Sequence, residues 1–166
     1  PLPVEVISEV IGIPEEARRR IPAVTLDQRE FFGSPSLTTN HARRFTSTLS
    51  EWHELLTSLM AQRRATPEDD VLTRAAEMVD EGRITHDEAV STLLHLVIAG
   101  NGTTTALIST AVFHILRHPE QARLLIEEPE RIPNAVEEAL RFEAPLPTDR
   151  RIATLALTLG GQSIEE

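Results

Sequence analysis

Cysteine is absent from the whole chain of 166 residues. Without a thiol, the chain cannot form a disulfide, use a cysteine nucleophile or build a cysteine-based zinc site. Long apolar runs are missing as well, since the longest, Leu93 to Gly100, is too short to span a bilayer. No secretory signal pattern is visible at the N-terminus. The sequence therefore predicts a cytoplasmic protein without a membrane segment.

Basic residues are also scarce. The chain has 16 Lys and Arg against 26 Asp and Glu, which gives a net charge of −10. Affinity for nucleic acid depends on basic patches that neutralise phosphates, so a nucleic-acid partner is not expected. The acidic balance is compatible with a basic partner protein or simply with solubility. With 40% hydrophobic and 25% charged residues, the composition is that of an ordinary globular protein.

Helical periodicity dominates the sequence. The clearest amphipathic stretch is 41–64, where apolar residues recur three and four positions apart. The region 33–40 is rich in Ser, Thr and Pro and is predicted to be a loop. Helices are predicted over 4–11, from Pro14 onward, and over 41–64, 67–81, 85–117, 119–127 and 133–143.

The chain ends in a different pattern. After Pro147 the apolar residues alternate with a period of two from Leu155 to Leu159, which predicts a strand. The pair Gly160-Gly161 predicts a tight turn, and residues 162–164 would begin the returning strand. The returning strand stops after a few residues, so we expect that the hairpin continues in a longer polypeptide.

One predicted helix is unusually long. Thr85 and Glu88 form a capping-box pattern at its start, and nothing interrupts it before about Arg117. At 1.5 Å per residue this helix would be about 48 Å long. Because it is apolar on nearly all sides, it is predicted to be buried in a large core. The 166 residues can hardly surround such a helix, so we expect the chain to be an internal piece of a larger domain.

The middle of this helix has an unfavourable composition for a helix. Residues 99–105 contain two glycines and three threonines, and each glycine costs about 1 kcal/mol relative to alanine. Two explanations are open: a bulky ligand lies against the glycine backbone, or another helix packs closely there. A threonine hydroxyl in such a segment can bond to a carbonyl of its own helix.

Two other side-chain pairs have a weaker meaning. Glu138 and Arg141 are three residues apart, share a helix face and by themselves predict a surface ion pair that contributes little. His114 and His118 are four apart, as in a zinc-binding helix, but no third ligand is evident and no metal site is expected. No glycine-rich phosphate loop follows a strand.

Taken together, these features resemble the bacterial, soluble type of the cytochrome P450 family, the haem-thiolate monooxygenases. Ala99-Gly100-Asn101-Gly102-Thr103-Thr104 is similar to the Ala/Gly-Gly-x-Asp/Glu-Thr-Thr/Ser motif of the family's central helix. The other similar segments, in family order, are 6–14, Leu116 to Gln121, Glu138-x-x-Arg141 and Arg151 to Gly161.

The resemblance implies a fold. The fold would be mainly α and would form the central portion of the cytochrome P450 fold, in which a long buried helix has flanking helices and the chain ends in a short β-hairpin. Residues 1–166 would be part of one such domain, without its N-terminal part and its C-terminal cysteine loop. The cofactor of the complete protein would be haem b, with the axial cysteine outside this chain.

The resemblance also implies roles for individual residues. Thr103 would be the catalytic alcohol that guides protons to oxygen, and Arg151 would pair with a haem propionate. Glu138 and Arg141 would be structural and would pack against the loop before the haem cysteine. Contacts to oxygen or haem would come from Ala99, Gly100, Gly102 and Thr104, and the substrate pocket would include Leu96, Leu146 and Pro147.

One departure from the family motif concerns function. Gly102 stands where the family has an acid that helps deliver protons, which implies slow turnover with O₂ unless protons arrive by another route. The leading hypothesis is a monooxygenase that oxidises a hydrophobic small molecule with electrons from a ferredoxin or flavin-type donor. The isolated segment would be inactive. The alternatives are a degenerate, non-catalytic homologue that serves as partner or scaffold, and a plain helical interaction module.

Overall fold

A computed structural model describes residues 2–33, 36, 38–148 and 151–165. These residues are mainly α-helical and end in a two-stranded sheet, as the sequence predicts. The helices are α1 (Leu2–Ile11), α2 (Glu15–Arg18), α3 (Ile21–Gly33), α4 (Thr39–Ala65), α5 (Val71–Asp80), α6 (His86–Arg117), α7 (Pro119–Glu127) and α8 (Ile132–Phe142), with a 3₁₀ turn at Pro129–Arg131. The strands are β1 (Leu157–Leu159) and β2 (Gln162–Ile164).

The long helix α6 begins with the predicted capping box. The Thr85 hydroxyl accepts a hydrogen bond from the Glu88 N–H at 3.2 Å, and the Glu88 carboxylate accepts one from the Thr85 N–H at 2.8 Å. The backbone hydrogen bond from Thr85, followed by the bond from its hydroxyl, lowers the pKa of Glu88. Two N–H groups that the helix leaves without partners are satisfied in this way.

The core lies between the first half of α6 and the helices α1, α3, α4 and α5. Trp52 and Leu56 from α4 are at most 1% exposed and pack in the same cluster as Leu72 of α5. The face that α6 turns toward these helices is a row of buried side chains, namely Ala89, Val90, Leu93, Val97 and Asn101. Burial of apolar area in this cluster is the main stabilising contribution to this part of the fold.

Burial of α6 is confined to its first half. Beyond Asn101 its apolar side chains are largely open, with Phe113 53% and Leu116 72% exposed. The neighbouring helices α7 and α8 contain no buried residue. The predicted long buried helix is therefore observed as a helix whose first half is buried. The helices α1, α3, α4 and α5 cover that half, whereas α7 and α8 contact the second half and leave it largely exposed.

Length and composition alone would allow α6 to cross a membrane, and it is the one helix of the described residues for which this holds. The core helix of a soluble protein passes the same test. In this structure, the first half of α6 is packed against four other helices.

The hairpin has the predicted turn. β1 pairs antiparallel with β2, Leu157 opposite Ile164, and Gly160 and Gly161 have φ values of +55° and +79°. A turn with two left-handed residues matches the twist of the strands it joins, which is why two glycines are suited to it. The strand begins at Leu157, two residues later than the alternation predicts.

Two predicted boundaries are wrong. The helix expected over 67–81 begins at Val71, because Asp70 is the N-cap residue and its carboxylate accepts a hydrogen bond from the Thr73 N–H at 2.8 Å. The loop expected over 33–40 is shorter, since α3 includes Gly33 and α4 begins at Thr39. Residues 34, 35 and 37 of that loop lie outside the described residues.

Candidate functional site

Three of the predicted site residues lie on one open face of α6. Leu96, Ala99 and Thr103 are three and four residues apart, and this spacing places their side chains along one side of a helix. All three are exposed, Leu96 by 37%. The buried row of α6 lies on the other side. The helix therefore separates a packed face from an open face with a small residue, Ala99, at its centre.

Thr103 bonds to the backbone of its own helix. Its Oγ1 donates a hydrogen bond to the carbonyl oxygen of Ala99 at 2.9 Å, which is the contact expected of a threonine in this segment. This bond holds the hydroxyl proton near the helix and directs the oxygen lone pairs outward. Thr103 is exposed, so those lone pairs can accept a hydrogen bond from a group on the open face.

The two glycines of the motif face neighbouring helices. A Cβ atom on Gly100 would lie 2.8 Å from Cγ1 of Ile7, and one on Gly102 would lie 3.2 Å from Cγ2 of Thr25. The first distance is too short for any side chain, and the second is tight. Close helix packing by α1 and α3 therefore accounts for both glycines. Their roles as oxygen or haem contacts, and that of the exposed Thr104, stay predictions.

Asn101 is a buried polar residue for which the family motif, where its position is variable, predicts no role. Its Nδ2 donates to Thr25 Oγ1 at 3.1 Å, and its Oδ1 accepts from Thr105 Oγ1 at 3.4 Å. Asn101 is 7% exposed. Its position in the sequence indicates this burial, because Asn101 follows Val97 by one helical turn in a row that is otherwise apolar.

Glu138 and Arg141 form a two-bond ion pair on α8. Arg141 Nε and Nη2 each donate to a Glu138 carboxylate oxygen at 2.7 Å. The hydrogen bond from Arg141 lowers the pKa of Glu138 and raises that of the Arg141 guanidinium. The Glu138 side chain is 59% exposed and that of Arg141 69%. The predicted surface pair is confirmed, and its structural role toward another segment stays a prediction.

An open groove of about 520 Å³ separates α6, α7 and α8. Its lining residues include His114, Leu124, Ala135, Ala139 and Phe142. His114 Nε2 lies 2.5 Å from the Glu143 carboxylate, so the histidine joins α6 to the end of α8. No group of three possible metal ligands occurs among the described residues, which gives the pair of His114 and His118 no support as a metal site.

The remaining predicted residues lie apart from the open face in the chain. Leu146 and Pro147 follow α8, and Arg151 precedes β1. All three are exposed. Their predicted contacts with substrate and with a haem propionate stay predictions.

Comparison with known proteins decides the family. The sequence model described as Cytochrome P450 matches residues 29–166. The chain belongs to the cytochrome P450 family. Members of this family bind haem.

Individual relatives agree with this assignment. Cytochrome P450 CYP107DY1 of Priestia megaterium is 33% identical over 165 residues, which cover 99% of this chain and 39% of the relative. The 6-deoxyerythronolide B hydroxylase of Saccharopolyspora erythraea is 32% identical, over 100% of this chain and 40% of the relative. The chain thus spans about two fifths of the curated relatives that it matches.

A solved structure has the same arrangement of helices. The crystal structure of P450BioI, in complex with an acyl carrier protein ligated to hexadec-9Z-enoic acid, is 30% identical with a TM-score of 0.89. The alignment covers 99% of this chain and 42% of that chain. The fold predicted from the resemblance, a portion of the cytochrome P450 fold, is confirmed.

The residues of this chain fit one side of a haem. The open face of α6 is apolar at Leu96 and small at Ala99, so a flat ring could approach its backbone, and the Thr103 hydroxyl lies beside that position. With no cysteine, the 166 residues do not supply a thiolate ligand. The residues of this chain therefore fit the face of the haem at which oxygen would bind.

Proposed function

We propose that residues 1–166 are part of a single haem-thiolate monooxygenase domain. The complete protein would insert oxygen from O₂ into a hydrophobic small molecule. The observation that carries this proposal is the open face of α6 in a chain of the cytochrome P450 family, where Thr103 is bonded to Ala99. A relative whose name denotes hydroxylation, the 6-deoxyerythronolide B hydroxylase, supports the same reaction class.

Haem b, when bound, supplies the redox-active iron at which O₂ is reduced. The residues of this chain would shape the site at which oxygen binds. Ala99 leaves space because its side chain is a single methyl group. Leu96 presents an apolar surface that excludes water from the face of α6. Arg151 would pair with a haem propionate, and Leu146 and Pro147 would line the substrate pocket.

Thr103 holds a proton at Oγ1. In the structure this proton is directed at the Ala99 carbonyl oxygen, 2.9 Å from Oγ1. Rotation about the Cβ–Oγ1 bond would turn this proton to the open face. As Oγ1 gives the proton up to an acceptor there, it takes a replacement from a water molecule, which the solvent reprotonates. With Gly102 beside it there is no carboxylate at that position to replenish the proton. Delivery would therefore depend on water, and turnover with O₂ would be slow.

The complete protein needs partners outside this chain. Electrons would come from a ferredoxin or flavin-type donor, and the axial thiolate from a cysteine beyond these residues, which span about two fifths of the relatives. We place the protein in the cytoplasm, without a nucleic-acid or membrane partner. The net charge of −10 in this segment opposes binding to the phosphates of nucleic acid.

A second candidate is a degenerate homologue that acts as a partner or scaffold. Gly102 favours it, because glycine stands where the family motif has an acid. A plain helical module is less suitable, because it leaves the order of the motifs unexplained, whereas family membership accounts for it.

A carbon-monoxide difference spectrum of the complete, reduced protein distinguishes the two candidates. The enzyme should show the Soret band of a thiolate-ligated haem. A folded, haem-loaded sample without that band would overturn the monooxygenase proposal and favour the scaffold. The control is the same sample after acid treatment, which should lose the thiolate band.

A further inference from the structure

Asn101 interrupts the apolar row on the packed face of α6. The row runs through Val90, Leu93 and Val97 before it reaches Asn101 one turn later. An amide at such a position is destabilising unless its donors and acceptor are bonded. Both ends of the Asn101 amide are bonded, to Thr25 and to Thr105. Because these hydrogen bonds form only when Asn101 faces Thr25, they favour one rotation of α6 about its axis relative to α3.

The partner across the interface is Thr25 of α3, which is separated from Asn101 by 76 residues. Thr25 is 8% exposed, and its hydroxyl has two bonds. It accepts from Asn101 Nδ2 at 3.1 Å and donates to the carbonyl oxygen of Ile21 at 3.0 Å. Turning the Thr25 side chain to another rotamer would break both bonds. The orientation of its methyl group is therefore determined by its hydroxyl.

That methyl group faces Gly102. A Cβ atom on Gly102 would lie 3.2 Å from Thr25 Cγ2, closer than an ordinary van der Waals contact. An alanine or an acid at position 102 would have to displace a methyl group that two hydrogen bonds hold in place. Glycine at 102 and the bonded pair of Asn101 and Thr25 are thus sterically linked.

We infer that Asn101 and Thr25 are a positioning pair, which holds the 99–103 segment of α6 in one rotation against α3 and opposes a side chain at residue 102. Thr103 follows two residues after Asn101, on the open side of the helix. The pair therefore determines the direction in which the Thr103 hydroxyl points. The effect of the pair on oxygen chemistry rests on the proposed function. The pairing of Asn101 with Thr25 and its steric effect on residue 102 do not depend on that function.

Two matched substitutions separate the hydroxyl of Thr25 from its methyl group. Thr25→Val retains the shape and removes the hydroxyl, and Thr25→Ser retains the hydroxyl and removes the methyl. Amide hydrogen exchange of the complete, haem-loaded protein is measured over residues 101–107, with α5 as the internal reference. Thr25→Val should accelerate exchange in this segment about tenfold, as expected for the loss of one buried hydrogen bond. Thr25→Ser should stay within about twofold of the wild type.

The infrared stretch of bound carbon monoxide gives a second readout, which reports the polar surroundings on the oxygen side. Thr25→Val should broaden or shift this band, and Thr25→Ser should restore it. Equal exchange rates and equal bands in the two variants would overturn the inference. Asn101→Leu should behave like Thr25→Val, and the double variant should add nothing. If Asn101→Leu does not fold, the isosteric Thr25→Val still decides the matter.

The steric effect of the Thr25 methyl group on residue 102 can be tested separately. Alanine favours the helix in either background, and the Thr25 methyl group opposes it only in the wild type. The change in melting temperature caused by Gly102→Ala should therefore be a few degrees more favourable in the Thr25→Ser background than in the wild-type background. An equal change in both backgrounds would overturn the steric link. These measurements remain valid if the carbon-monoxide spectrum shows no thiolate haem, so failure of the proposed function and failure of the pair are distinguishable.

Discussion

The guanidinium of Arg63 and the carboxylate of Asp70 form a nearly buried ion pair with 2.6 Å between Nε and Oδ2. The side chain of Arg63 is 13% exposed and that of Asp70 is 5%. Arg63 also contacts the carbonyl oxygen of Gly12 at 3.4 Å, and Asp70 caps α5 through Thr73. The pair therefore joins the end of α4 to the start of α5 and to the turn after α1.

The pKa of Asp70 makes this junction sensitive to acid. Burial alone would raise that pKa, but hydrogen bonds from the Thr73 N–H and the Arg63 guanidinium outweigh it and lower the pKa below its ordinary value of 3.8. The folded state therefore binds the proton less readily than the unfolded state. The contribution of the ionised Asp70 carboxylate to stability is therefore complete above pH 3.8, the ordinary pKa. It is lost as pH falls through the lower pKa that Asp70 has in the folded state.

Asp70→Asn should lower the free energy of unfolding at neutral pH by about 1–3 kcal/mol, because Arg63 loses the more buried of its two carboxylate partners. Its exposed partner Glu68, 3.0 Å away, and the cap of α5 are retained. The variant should also lose less stability than the wild type on acidification. Urea unfolding at pH 7 and in the acid range measures both effects. If the difference in unfolding free energy between variant and wild type is the same at pH 7 and in the acid range, the lowered pKa of Asp70 is contradicted.

Gly12→Ala should be strongly destabilising. Gly12 has a φ of +93°, and a Cβ atom there would overlap the Asp70 carboxylate. The left-handed conformation costs about 1–2 kcal/mol for alanine, and displacement of Asp70 adds to it. Gly33→Ala is the matched control, since no atom of the described residues lies within 4 Å of a Cβ at that position in α3. Thermal unfolding should show a large decrease for the first variant and almost none for the second.

Thr103→Ala should impair oxygen chemistry, because it removes the proton held beside Ala99. We expect peroxide release per electron consumed to increase and product formation to decrease by about tenfold or more. Thr103→Ser should restore most of the coupling. Ser109→Ala is the control, since the Ser109 hydroxyl also bonds to a carbonyl oxygen of α6, that of Thr105 at 2.7 Å, and lies outside the predicted site. Equal coupling in Thr103→Ala and the wild type would remove Thr103 from the proton path.

An acid at position 102 should reduce peroxide leakage only when space is made for it. In the Thr25→Ser background, Gly102→Glu should lower peroxide release in the complete protein, because a carboxylate can then replenish the proton at Thr103. In the wild-type background the Thr25 methyl group opposes the substitution. If the wild type is already tightly coupled and neither variant improves it, slow proton delivery at Gly102 is refuted.

The pair of Glu138 and Arg141 can be compared with a similar pair nearby. Arg131 Nε and Glu128 are also three residues apart, 2.6 Å from each other and largely exposed. If Glu138 is structural in the complete protein, Glu138→Gln should lower haem content and stability there, while Glu128→Gln should leave both unchanged. Haem absorbance per protein and thermal unfolding measure the two effects. Equal behaviour of the two variants would make Glu138 an ordinary surface residue.

Several features were predictable because their causes are local. The capping box at Thr85 and Glu88 and the turn at Gly160-Gly161 depend on residues within four positions of each other. The position of Thr103 relative to Ala99 follows from helical spacing in the same way. The start of α5 was predicted at residue 67, which is wrong although its cause is also local, since Asp70 provides the cap.

The sequence by itself determined that the chain is mainly helical, ends in a hairpin and carries the cytochrome P450 motifs in order, because each depends on neighbouring residues. Tertiary structure decided which faces are covered. It placed Ile7 and Thr25 against the two glycines, buried Asn101, and left the second half of α6 open. No local pattern contains this information, since the contacts join residues that are 76 to 93 positions apart, as between Thr25 and Asn101 or Ile7 and Gly100.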